Sequence, residues 1–111
     1  SDLDKTTQAQ LARGRRLVEI LKQQQYLPMD VELQIASIYA GTKGYLDSLT
    51  VEAILPFEAG LHHFLKSEHA DVLSAIASTG KLEKASEEAL GAAIKSFKDR
   101  FIKENADAVA A

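Results

Sequence analysis

A chain of 111 residues holds one domain around one hydrophobic core. Its formal charge of −3 gives no electrostatic reason for nucleic acid or an anionic membrane as main partner, and the lack of cysteine excludes disulfides, thiolate metal sites and a cysteine nucleophile. No apolar run approaches the roughly 20 residues of a membrane span, and the opening SDLDKTTQ is too acidic and polar for a signal peptide.

Strand signals are nearly absent, and the chain reads as an all-α, compact bundle of about five helices with short loops over residues 1–103, followed by a frayed tail at 104–111. The first helix is expected to start between Asp4 and Thr7 and to run to about Gln24, with Leu17, Ile20 and Leu21, joined by Leu11 and Val18, on its apolar side. Gly14 sits inside that pattern at a cost of about 1 kcal/mol against alanine, for which a close helix crossing is the expected compensation. Pro28 ends the helix, because the residue before a proline is pushed out of the helical region. Asp30 opens a second helix carrying Val31, Ile35, Ile38 and Tyr39, and Gly41 fits a left-handed position after its end. GTKG is then a turn, and Tyr45 and Leu46 plug the core. Thr50 caps the next helix, where Pro56 removes a bond to the Glu52 carbonyl and predicts a kink or a restart. Leu61, Phe64 and Leu65 continue that helix. Val72, Leu73 and Ile76 belong to its extension or to a short separate helix ending at Gly80. Leu90, Ile94, Phe97 and Phe101, at i, i+4, i+7 and i+11, form a single stripe on the last helix.

Few residues point to chemistry. GTKG has the letters of a phosphate loop in the wrong order, since Lys43 precedes Gly44 and helices flank it on both sides. Adjacent His62 and His63 point about 100 degrees apart on a helix. Glu58 and His62, at i, i+4, could supply two metal ligands, but neither His69 nor any other residue offers a third. Arg13, Arg15, Arg16 and Lys22 make the first helix locally basic, either as a solvated face or as a contact to an acidic partner; without interleaved aromatics they do not read as a single-strand binder. No Ser-His-Asp arrangement or acid–base carboxylate pair stands out.

SDLDKTTQAQLARGRRLVEILKQQQY followed by IYAGTKGYLD closely resembles the start of the C-terminal helical domain of the alpha subunit of the F-type rotary ATP synthase. FEAGLHHFLKSEHADVLSAIASTGKL and AIKSFKDRF are similar to the rest of it, so the resemblance runs from residue 1 to about 101. The acidic DELSEED-like loop of the beta subunit is absent, which favours alpha. The resemblance implies a domain from a proton-translocating ATP synthase, peripheral to a bacterial plasma membrane or an organelle inner membrane. It implies beta subunits and the central gamma shaft as partners and a place in the collar around that shaft. The phosphate loop and magnesium-binding groups of the family lie upstream, so the chain by itself is expected to be a soluble non-enzyme. It would have no cofactor of its own, although the intact subunit holds MgATP or MgADP. The family pattern Lys-Gln-x-Gln-Tyr falls on Lys22, Gln23, Gln25 and Tyr26, with Gln24 at the variable position. By resemblance Gln23 and Gln25 lie beside the adenine of a non-catalytic nucleotide. Leu27 departs from the serine that many members carry before the proline, and Pro56 is another unusual choice. The alternative is a free-standing helical interaction module that uses its basic first helix.

Overall fold

A computed structural model describes residues 5–26 and 30–108, apart from the side chains of 23–26 and 108. Five α-helices follow in chain order: α1 (Lys5–Tyr26), α2 (Val31–Thr42), α3 (Ile54–Glu68), α4 (Ala70–Thr79) and α5 (Lys84–Glu104). Single 3-10 turns occupy Val51–Ala53 and Ala106–Ala108, and there is no strand element among the described residues. The expected all-α bundle is therefore the observed one. Pro28 and residues 109–111 of the tail lie outside the described residues.

Helix α3 is the hub. It packs against α1, α4 and α5, and its Ile54, Phe57, Leu61, Phe64 and Leu65 are buried. The stripe read on α5 meets it: Leu90 and Ile94 are fully buried, while Phe97 and Phe101 are partly covered. The chain's four phenylalanines converge there. Phe57 lies 5.2 Å from both Phe97 and Phe101, ring to ring, and Phe64 lies 5.5 Å from Phe97. Arg100 completes the cluster with its guanidinium 5.3 Å from the Phe64 ring centre.

Local chemistry accounts for the boundaries. Pro56 falls in the first turn of α3, where helical N–H groups have no partner in any case, so its missing donor costs little. The expected restart thus occurs at Ile54, where the turn Val51–Ala53 runs directly into the helix. Asp30 and Thr50 occupy the predicted cap positions, but each acts through its backbone carbonyl, with no side-chain cap bond. α4 is the separate short helix, closed by Gly80 at φ 70° with its N–H on the Ile76 carbonyl at 2.8 Å.

Two glycine expectations are corrected. The left-handed residue after α2 is Gly44, at φ 86°, rather than Gly41. Gly41 lies inside the helix, where a Cβ would come within 2.5 Å of Leu17 Cδ2. The close crossing of α1 therefore happens at Gly41. Gly14 has nothing within 4 Å of where its Cβ would be, so no crossing compensates it. On α2, Val31 and Ile38 turn outward, while Leu33, Ala36 and Ala40 enter the core. Leu46 joins them as read, together with Leu49 one turn later.

Candidate functional site

α1 carries most of what the sequence marks, and its two sides differ. The inner side consists of Ile20, half-buried Leu17 and, unexpectedly, Arg16, which is only 8% exposed. Arg16 donates from Nε (3.0 Å) and from Nη2 to the Leu49 carbonyl, and from Nη1 to the Ala12 carbonyl at 3.0 Å. Arg13 pairs with Asp47 at 2.7 Å and reaches the Thr42 carbonyl at 3.4 Å. That pair folds across Gly44, where a Cβ would stand 2.7 Å from Arg13 Nη2. The basic patch read from Arg13, Arg15, Arg16 and Lys22 is thus divided. Two arginines fasten α1 to the 42–49 segment of the same chain. Arg15 and Lys22 face solvent, Lys22 with Glu19 at 3.5 Å. The expected apolar side is corrected as well: Leu11, Val18 and Leu21 are 53%, 48% and 51% exposed and lie opposite Arg16 and Ile20.

Gln23 and Gln25 both fall in the last turn of α1. Two residues apart on a helix, the positions diverge by about 200 degrees around the axis, so one planar ligand would meet them from two sides rather than along one face. Their side chains lie outside the described residues.

The Glu58–His62 pair of α3 turns toward α2. His62 Nε2 lies 2.6 Å from the Oγ of Ser37 on α2, and Ser37 and Glu58 are both buried. Ser37 also hydrogen-bonds the Glu58 side chain, so one hydroxyl serves both neighbours. Glu58 Oε2 has no hydrogen-bond partner. The hollow beside it, about 10 Å³ and lined by Ile20, Leu46, Phe57 and Leu61 among others, admits nothing larger than a water. A Ser-His-Glu trio of this kind is not a nucleophilic triad. The carboxylate lies on the serine side of the imidazole, and the serine cannot be reached by a substrate. Among the described residues no three His, Asp or Glu side chains could share a metal ion. His63 is exposed, and the His69 ring lies 5.1 Å from Phe64.

This buried trio makes stability depend on pH. Burial raises the Glu58 carboxyl above its ordinary 4.5, although the Ser37 hydrogen bond pulls it down. The folded state then keeps a proton that the unfolded chain has released. Glu58 therefore contributes stability in full below pH 4.5 and loses it as pH rises through its folded value. Burial, aided by the Lys66 charge, lowers His62 below 6.5, so its contribution is present above that pH and lost as pH falls through its folded value. Glu58→Gln stays neutral and isolates the first effect. Its unfolding midpoint in urea should gain on the wild type with each step in pH above 4.5, until the folded value is passed. Parallel profiles for the two proteins would show that Glu58 is not held neutral by the fold.

Residues 1–97 match the family described as ATP synthase alpha/beta chain, C terminal domain. The chain belongs to this family. It is 52% identical over 101 residues to the ATP synthase subunit alpha of Janthinobacterium sp. (strain Marseille), and 50% identical over 101 residues to that of Syntrophomonas wolfei subsp. wolfei. Each match takes in 91% of this chain and 20% of the relative, so the domain spans about a fifth of the length of these curated relatives. Both are alpha subunits, as the first 26 residues led one to expect. Among the described residues no helix is long and apolar enough to cross a membrane.

Proposed function

We propose that this domain works within the alpha subunit of a proton-translocating ATP synthase, as part of the collar around the rotating shaft and as the adenine side of a non-catalytic nucleotide site. Beta subunits and the gamma shaft are its protein partners, and the assembly lies peripheral to an energy-transducing membrane. The observation that carries the reading is Lys22-Gln23-x-Gln25-Tyr26 at the end of α1, in a chain half identical to alpha subunits. Gln23 and Gln25 read the base. An amide accepts from the exocyclic amine of adenine and donates to a ring nitrogen. Phosphate and magnesium are held elsewhere in the subunit, so MgATP or MgADP binds the intact subunit and not this domain alone. The competing reading, a free-standing module that grips an acidic partner through a basic helix, loses support because Arg13 and Arg16 already serve internal contacts.

The test is the double variant Gln23→Ala, Gln25→Ala in the full-length subunit. Each lost neutral hydrogen bond is worth about 0.5–1.5 kcal/mol, so ATP affinity at the non-catalytic site should fall roughly 5- to 150-fold. GTP affinity should fall less, since guanine presents a carbonyl where adenine presents its amine. Equal losses for both nucleotides would mean that the glutamines support the chain after α1 and do not read the base.

A further inference from the structure

α1 is a helix with two apolar sides, and the bundle uses only one. Leu11, Gly14, Val18 and Leu21 follow at i, i+3, i+7 and i+10, the spacing of a seam that packs against another element. The three large side chains are about half exposed, and a Cβ on Gly14 would meet nothing. Glycine in a helix interior costs stability that open solvent does not return, whereas a closely packed covering surface does. Arg15 and Lys22, both exposed, border the row along the same edge.

We propose that this row is the seat of the part of the alpha subunit that precedes residue 1, an apolar ridge with carboxylates along the edge facing Arg15 and Lys22. The inference rests on the reading of the chain as one domain of that subunit. Three observations choose the occupant. The domain spans 20% of its relatives' length and matches a family of C-terminal domains, which leaves a large preceding portion to be placed. That portion would join the chain next to the N-terminus of α1, where tethering gives it an effective concentration of order millimolar. A second copy of this chain fits poorly. Antiparallel pairing of two such rows sets Arg15 and Lys22 against each other, and parallel pairing sets them against Gln10 and Leu17, with no carboxylate in either case. The next position of the row is 25, one of the two glutamines assigned to adenine. The seam would thus fix the end of α1 against the body that holds the nucleotide.

Single cysteines at Leu11, Val18 and Leu21, with a control at exposed Ala77 of α4, test this in a cysteine-free, nucleotide-free, full-length alpha subunit. The three row positions should react with a maleimide at least about tenfold more slowly than the control. Rates equal to the control overturn the proposal. So does protection that appears only when the other subunits are added, which assigns the row to another chain, and so does protection that vanishes on dilution, which assigns it to a second copy. Because nucleotide is absent, failure here leaves the ATP-against-GTP test of the glutamines untouched, and failure there leaves the labelling pattern standing.

Discussion

Phe57→Ala should lower the unfolding free energy by about 3–5 kcal/mol, the largest loss expected from any single truncation in this domain. Phe57 is 1% exposed and sits where α3 meets α5, with the Phe101 ring edge-on at 89° and the Phe97 ring tilted at 58°. Removing it takes away its own transfer free energy and the ring contacts, and leaves a void between two helices that cannot close over it. Phe97→Ala should cost less, about 2–4 kcal/mol, because that ring keeps part of its surface in solvent and loses less on truncation. Its own position is set by Gly60, where a Cβ would stand 2.7 Å from the Phe97 Cζ. Urea midpoints at constant m-value give both numbers. A larger loss for Phe97 than for Phe57 would place the centre of the cluster on α5 and not on α3.

The α3–α5 contact was readable because each helix carries one apolar stripe and its period leaves no choice of face. The same rule fails on α1. Leu11, Val18 and Leu21 are as apolar as Ile20, and periodicity cannot say which of two apolar sides the bundle takes. The deciding group is Arg16, which hydropathy counts as a surface residue and which is buried with its guanidinium on a carbonyl 33 residues away. The Ser37–Glu58–His62 trio shows the same limit. Glu58 and His62 stand out at i, i+4, but Ser37, the residue that makes them a buried network and not half a metal site, comes from another helix 25 residues from His62. The crossing at Gly41 and the empty space at Gly14 likewise depend on where neighbouring helices lie. The family pattern around Gln23 and Gln25 was legible as a resemblance. Its place in the last turn of α1 adds the constraint that the two positions diverge.

Arg16→Leu should destabilise the domain by about 2–4 kcal/mol although leucine fills much of the same space. The guanidinium puts Nε and Nη2 on one acceptor, the Leu49 carbonyl, and Nη1 on the Ala12 carbonyl one turn back in α1. Charge-assisted bonds of this kind are worth about twice neutral ones, and the leucine variant removes all three donors that Arg16 presents to the Leu49 and Ala12 carbonyls. Relief from burying an arginine offsets part of the loss, which keeps the figure below that of Phe57→Ala. Arg16→Lys should recover only a fraction, because an ammonium cannot present the planar fork that meets Leu49 and Ala12 together. The damage should also be local. Leu49 is the last core residue before the Val51–Ala53 turn, so amides from about 47 to 54 should exchange faster in the variant while those of α5 keep their protection. A leucine variant as stable as the wild type, with unchanged exchange in that segment, would mean that the desolvation cost of the buried guanidinium cancels its hydrogen bonds and that α1 is held by Ile20, Leu17 and the Arg13–Asp47 pair.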